Sequence, residues 1–426
     1  MSRCLPDETD VAKIAWVVIT SMHKGAIDGR GLRVCMLVRN DMVNDPRVTR
    51  HAEALGAHGF KVAVACTASA RTAVKEKHAS YEILRAGNRI TLGLERLALR
   101  MKSRSPLRIL VRLIQLVILQ FVLFRTAKKT EANIYCANDL DTLLIGVLAT
   151  GHSGRLVYDS HELWTDMLFT VPAFVRQMLR AYEKCLIRRA DVVMTVNELI
   201  GEVLASRYSI KAPIEIVYNC PSARTTIRNR KRPRKRRLKT ALYQGRYVAH
   251  RGLENLVRAA QYLLPDVELV FRGFGPIEKD LRALASARDN VRFVQPVPMK
   301  RLVQTARDAD VGIVSYIPSN LNNFLASPNK LFEYMHAGLP VATSDIPFMR
   351  KIVYENDIGV IFDPNDPHSI AQAINQVTRT GELSRHRRMV KRAVLKYNWQ
   401  NEEKKLLHVY ARLGDTLREV GKSQIT

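Results

Sequence analysis

A chain of 426 residues is too long for one compact core and fits two domains, and a hydrophobic content of 47% is ordinary for folded protein. Its 67 Lys and Arg against 40 Asp and Glu leave a net charge of +27, which favours a polyanionic neighbour: nucleic acid, an acidic lipid surface or an anionic polymer. Six scattered cysteines, Cys4, Cys35, Cys66, Cys136, Cys185 and Cys220, lack the close spacing of a zinc or redox motif and suit a reducing compartment.

Residues 1–28 carry Asp7, Glu8 and Asp10 ahead of the apolar run Ile14 to Ile19. That layout is unlike the basic-then-apolar pattern of a secretory leader, so it predicts an N-terminal extension on a cytoplasmic protein. From 29 to 222, apolar runs recur at Val34 to Val38, Val62 to Ala65, Ile134-Tyr135, Leu156 to Tyr158 and Val192 to Val196, each followed by a helical pattern. Strands alternating with helices predict a parallel sheet covered on both faces. Within this domain, Leu107 to Arg125 is apolar except at Arg108, Arg112, Gln115, Gln120 and Arg125. An arginine near a bilayer centre costs roughly 2.5 to 3.5 kcal/mol, which disfavours a spanning helix. Burial against the sheet is the expectation, with an interfacial helix as the alternative.

Residues 223–239 read as a linker. From Arg224 to Lys239 there are ten basic residues and no acidic one, so the run repels itself and stays solvated, or meets anionic lipid. No aromatic residue interleaves it, which argues against single-stranded nucleic acid. A second strand series follows in residues 240–398: Ala241 to Gln244, Val267 to Phe271, Val291 to Val294, Val311 to Val314, Val341 to Thr343 and Gly359 to Phe362. Residues 399–426 predict a C-terminal helix packing back toward the first domain. The fold class is therefore α/β, with two doubly wound domains whose strands aim their carboxyl ends at a shared cleft.

The densest signals lie between Ser327 and Thr343. Ser327 is an N-cap type ahead of Pro328, Leu331 and Met335 lie one turn apart on an apolar face, and Gly338 ends the helix before Pro340. Lys330 falls in the first turn, where a cation is unfavourable by roughly 0.3 to 1 kcal/mol unless an anion sits there. Free amides at a helix start plus a lysine suit a phosphate group. Glu333, one turn on, is the competing partner for that lysine.

This segment resembles the nucleotide-sugar motif of family-4 glycosyltransferases with the GT-B fold. Further stretches resemble the same family in the same order: Asn44 to Val48 with Ala54-Leu55, Asp139 to Leu143, Val157 to Trp164, Tyr243 to Arg246 with Arg251 to Glu254, and Gly273 to Pro276. The resemblance implies roles for particular residues. His161, Arg246, Arg251 and Lys330 would act on the donor at the reacting centre. Gly245, Gly273, Gly275, Ser327, Asn329, Leu331 and Glu333 would bind the donor, with Glu333 accepting from the ribose hydroxyls. Asp45, Arg47, Asp139 and Asp141 would shape the acceptor side, although Asp139 and Asp141 could equally cap the helix near Thr142. The commoner family pattern has a second glutamate where this chain has Leu325, which leaves the sugar's identity open.

No Asp-x-Asp stands where a divalent metal is called for, and no His or Cys cluster has ligand spacing, so basic side chains would do the metal's work. The resemblance implies a retaining hexosyltransferase that uses a nucleotide diphosphate sugar, a UDP-sugar foremost, and no other cofactor. Its acceptor would be a lipid-linked intermediate or saccharide of surface polysaccharide synthesis. The expected location is the cytoplasmic face of a membrane, with residues 224–239 against anionic lipid and no specific nucleic acid partner. A sugar-nucleotide epimerase of the same fold and a non-catalytic membrane-associated scaffold are the rival readings.

Overall fold

The computed structural model describes residues 29–69, 72–87, 89–101, 105–168, 171–222 and 238–423. The expected extension, 1–28, and residues 223–237 of the linker lie outside the described residues. Lys239, assigned to the linker by its charge, instead opens a strand and pairs with Asp266 at 3.0 Å.

The first sheet contains β1 (Arg33–Leu37), β2 (Lys61–Thr67), β3 (Lys75–Lys77), β4 (Tyr81–Ala86), β5 (Ile134–Asn138), β6 (Arg155–Ser160), β7 (Val192–Thr195) and β8 (Ile214–Ile216). Their spatial order is β3-β4-β2-β1-β5-β6-β7-β8, and all neighbours are parallel except β3, which runs antiparallel to β4. The second sheet is wholly parallel. It contains β9 (Lys239–Arg246), β10 (Val267–Phe274), β11 (Val291–Val294), β12 (Val311–Val314), β13 (Val341–Ser344) and β14 (Gly359–Phe362), ordered β11-β10-β9-β12-β13-β14. Central strands such as β5 and β12 are buried at every residue, which is why they read as unbroken apolar runs. Winding reverses between β1 and β5 in one sheet and between β9 and β12 in the other. Ligands bind at such switch points, outside the carboxyl ends of the strands.

Those carboxyl ends face one another. After β6, the Leu163 amide donates to Asn322 Oδ1 of the second domain at 2.8 Å, and after β7, Asn197 Nδ2 donates to the Leu325 carbonyl at 2.8 Å. The helix Trp399–Ser423 then returns to the first domain, where Leu406, Leu407, Val409, Tyr410 and Leu413 join the core beneath β1 and β2. Burying each such side chain contributes about 1.5 to 3 kcal/mol, so together they rival the 5 to 15 kcal/mol that stabilises a typical protein. A chain truncated before Trp399 is therefore expected to lose cooperative melting of the first domain, as read by differential scanning calorimetry. A truncated chain that melts like the full one would contradict this packing.

The helix Pro106–Lys128 corrects the expectation of burial. Only Val111, Leu123 and Ala127 are buried, and of these Leu123 and Ala127, in the C-terminal third, join the first domain's core. Gln120 Nε2 donates to the Asp141 carbonyl at 2.9 Å and Lys128 Nζ to the Ala149 carbonyl at 3.3 Å, so this third runs alongside the helix Leu140–Thr150. The preceding turns extend past that neighbour.

Candidate functional site

On the second domain, β9 ends in a turn with positive φ at Gly245, His250 and Gly252. This turn delivers Arg251 onto the ring of Tyr316, with Cζ 3.7 Å from the ring centroid. The helix Asn329–His336 delivers Lys330 to the same place: its Nζ lies 4.1 Å from the Tyr243 centroid and 5.7 Å from that of Tyr316. Gly245 suits this turn because its φ of +147° is one that side-chain-bearing residues rarely adopt, and a Cβ there would stand 3.1 Å from the Lys330 amine. Two cations thus share an aromatic floor, which holds them by cation–π attraction without neutralising either. Arg251 Nη1 is buried and has no hydrogen-bond partner. Burial and the neighbouring Arg251 push the Lys330 ammonium down to about 7, with Glu333 opposing. Burial likewise raises the Glu333 carboxyl, against the pull of Lys330 and of Arg50 from the first domain.

On the first domain, His161 follows β6. Its Nδ1 lies 3.4 Å from Asp139 Oδ2 and its Nε2 lies 3.3 Å from Asp159 Oδ2, while its amide donates to Asp139 Oδ1 at 2.9 Å. Burial opposes a charge on the ring, but the two carboxylates override it and raise the imidazole to about 9. Asp159 is fully buried and is held in turn by Arg47, which donates from Nε at 2.9 Å and Nη2 at 2.7 Å. Arg47 donates a third bond to the Val217 carbonyl. The resulting row, Arg47, Asp159, His161 and Asp139, sets an imidazolium at the cleft edge.

A chamber of about 240 Å³ opens between the two sides, lined by His161, Glu162, Arg251, Tyr316, Asn320, Asn322 and Ser327 among others. Ser327 Oγ is buried beside it without a protein partner. Arg251, Ser327 and His161 therefore meet at one space; Lys330 is not among its lining residues and reaches it only through the Tyr243 and Tyr316 rings it shares with that side.

Several residues fall elsewhere than the resemblance implies. Arg246 ends β9 as an exposed residue and does not line the chamber. Leu331 is fully buried in the second domain's core, and its amide is bonded to the Pro328 carbonyl. Gly273 and Gly275 serve close backbone packing, since a Cβ on either would meet the carbonyl of Gly245 or Tyr247 at 2.0 Å or less. Pro328, not Ser327, occupies the cap position, because the helix starts one residue later, at the exposed Asn329; this leaves the Ser327 hydroxyl unbonded. Asp45 caps the helix Pro46–Ala57 through the Val48 amide, and Arg47 is spent on Asp159, so neither is presented to an acceptor. Asp141 pairs with Arg39 at 2.9 Å. Asp139, held at a φ of +64°, stands at the N-cap of the helix Leu140–Thr150, but its side chain makes no capping bond and faces His161 instead.

Asn322 and Glu162 carry no local signal in the sequence, and Leu325 is marked there only by the glutamate it replaces. Asn322 accepts from the Leu163 amide and donates to Glu162 Oε2 at 3.3 Å, fastening the two sides of the chamber. Glu162 faces Arg251, and burial raises its carboxyl while Arg251 and His161 oppose. Leu325, where a glutamate is commoner, is 6% exposed and plugs into the first domain's apolar cluster with Leu163, Val196 and Ile200. The missing carboxylate is thus a hydrophobic peg joining the domains.

The comparisons with known proteins follow the same division. Residues 47–221 match the model described as Glycosyltransferase Family 4, and residues 224–395 match that of Glycosyl transferases group 1. A phosphatidyl-myo-inositol mannosyltransferase of Mycobacterium leprae is 28% identical over 178 residues, 40% of this chain and 46% of that protein. A D-inositol 3-phosphate glycosyltransferase of Xylanimonas cellulosilytica is 29% identical over 180 residues, 40% of this chain and 42% of that protein. Each match therefore spans less than half of the relative. Among solved structures, sucrose-phosphate synthase of Thermosynechococcus elongatus superposes with a TM-score of 0.70 at 19% identity, covering 90% of this chain and 100% of that one. The Anabaena protein HepE, in complex with UDP and glucose, superposes with a TM-score of 0.65 at 15% identity, covering 89% and 100%. With both halves matched in order and two parallel sheets closing on one chamber, the chain belongs to the family-4, group 1 glycosyltransferases of the GT-B fold.

Proposed function

We propose that the enzyme transfers a hexose, with retention of configuration and without a metal, from a nucleotide diphosphate sugar to a lipid-linked or saccharide acceptor. UDP is the nucleotide we favour, and surface polysaccharide synthesis at the cytoplasmic face of a membrane is the setting. One observation carries the reading: Arg251 and Lys330 converge on Tyr316 with an unpartnered, buried guanidinium N–H. Nothing stabilises two adjacent cations as well as a ligand bearing at least two negative charges. Neighbours of the same fold crystallised with UDP and UDP-glucose lend support to that class of ligand.

The chemistry follows from charge. Departure of a diphosphate leaves negative charge on its β-phosphate, and Arg251 and Lys330 would neutralise it as it develops. These two cations are the groups placed to take up that charge. The imidazolium of His161, fixed by Asp139 and Asp159, stands on the other side of the chamber, where it would donate to a sugar hydroxyl. Glu162 offers a carboxylate for a further hydroxyl.

Melting the protein against UDP, GDP and ADP tests the nucleotide. A ligand at 100 times its dissociation constant adds about 2.7 kcal/mol of stability, so UDP is expected to raise Tm by several degrees and the others less. Equal silence with all three would remove the reading. Conversion of a UDP-sugar without acceptor would instead identify an epimerase, and nucleotide binding without either product would identify a scaffold.

A further inference from the structure

Where a glutamate is commoner, this chain has Leu325, whose side chain turns away from the chamber into the first domain's core. Among the described residues that line the chamber, Glu162 is the one acid. A sugar ring presents several hydroxyl donors, and an ionised carboxylate is the strongest acceptor a side chain offers them. Asn322 is the other candidate acceptor nearby, but its Oδ1 is already engaged by the Leu163 amide at 2.8 Å.

Glu162 is held in place by its neighbours. Ser160 Oγ donates to its carbonyl at 3.0 Å, the Leu163 amide that follows it is bonded to Asn322, and Asn322 Nδ2 donates to its Oε2 at 3.3 Å. Asn322 is itself pinned to the first domain. It lies in the short helix Leu321–Phe324 and is only 7% exposed, and the Leu325 that follows packs with Leu163 and Ile200 while its carbonyl accepts from Asn197 Nδ2 at 2.8 Å. One side-chain amide of the second domain thus fixes both a backbone N–H and a carboxylate of the first, holding one oxygen of Glu162 and leaving Oε1 for a ligand. The amide suits this place because it accepts from Leu163 and donates to Glu162 at once, whereas a carboxylate would accept from Leu163 but repel Glu162.

We propose that Glu162 is the residue that selects the donor sugar, and that Asn322 is its positioning residue across the domain gap. The selecting carboxylate then comes from the first domain, and the sugar's seat is complete only where the two domains meet. This deepens the nucleotide-sugar reading and rests on it. The test is calorimetric titration of the full chain with UDP-glucose, UDP-galactose, UDP-N-acetylglucosamine and UDP-glucuronate. Wild type is expected to spread these four over at least about tenfold in affinity. E162Q, whose side chain still accepts from Asn322, is expected to narrow the spread to under about threefold while keeping its Tm. Asn322→Asp supplies a readout that a merely structural residue would not move. At about pH 5.5 the two facing carboxyls share one proton, which stands where the amide N–H stood, so the wild-type preference is expected to persist. At about pH 8.5 both ionise and repel, so the spread is expected to collapse as in E162Q. The other charged and titratable groups around Glu162 are His161 and Asp139 of its own domain, Arg251 and Tyr316 of the other, and His250 on the chamber wall. Wild type carries all of them, so its own pH response is the baseline, and titration of Lys330 on the phosphate side acts on all four donors equally and cancels in the ratio. The proposal is overturned if wild type binds the four sugars equally, if E162Q keeps the wild-type preference, or if Asn322→Asp follows the wild-type response at both pH values. Failure of the nucleotide reading would appear separately, as absence of any UDP-induced shift in wild type.

Discussion

Replacing Lys330 with glutamine is expected to weaken UDP binding by about 1.5 to 3 kcal/mol, the worth of a charge-assisted hydrogen bond, and to remove most of its pH dependence. In the free protein, burial and Arg251 bring the Lys330 ammonium down to about 7. Below that pH the lysine is already charged and meets a diphosphate at no proton cost. Above it, binding must take up a proton, because the bound anion raises the lysine's pKa, so affinity falls by up to tenfold per pH unit. Stability of the free protein runs the other way. A lysine whose folded pKa lies below its unfolded value binds fewer protons in the native state across pH 7 to 10, so its contribution to stability rises with pH through that window. Lys330→Gln should therefore bind UDP poorly yet melt no lower than wild type at pH 7, which separates a ligand-binding lysine from a structural one. Calorimetric titration between pH 6 and 9 supplies both halves. A wild-type affinity that is flat across that range, or a variant that retains it, would contradict the assignment.

The second large effect belongs to the buried row beneath His161. Asp159→Ala would leave Arg47 charged and unpaired in the core, and removal of one partner from a buried pair costs about 3 to 5 kcal/mol. Against a total of roughly 5 to 15 kcal/mol, that loss alone brings the fold near its limit at 37 °C. Asp141→Ala, which breaks the partly exposed pair with Arg39, is expected to cost under about 1 kcal/mol. Denaturant unfolding of the two variants side by side checks the contrast. If Asp159→Ala cost no more than Asp141→Ala, Arg47 would not be the anchor described here. The same substitution removes one of the two carboxylates that raise the imidazole, so the His161 ring should titrate lower.

The strand runs were legible because buried parallel strands write themselves as continuous apolar stretches, and each expected run is a strand in the structure. Three strands escaped. β3 is wholly exposed Lys-Glu-Lys, β8 is only three half-buried residues at a sheet edge, and β4 alternates where a continuous run was sought. Lys330 was legible from its misfit with a helix start, and the structure supplies the compensation as two aromatic faces. Arg47 was misassigned because a polar residue in a cleft-edge segment looks the same whether it faces solvent or Asp159, 112 positions away. Asn322 carries no such mark, and the role of Leu325 as a link is hidden for the same reason, since their partners at Leu163 and Asn197 belong to the other domain. Side chains that join distant segments leave no periodicity to read. The exposed helix Pro106–Lys128 misled in the opposite sense, because an apolar pattern records affinity for something apolar without naming it.

Soaking or co-crystallising the protein with UDP tests the central claim most directly. The β-phosphate is expected within about 3.2 Å of Arg251 Nη1 and of Lys330 Nζ, beside Tyr316. A nucleotide seated with its phosphates away from both cations would contradict the account.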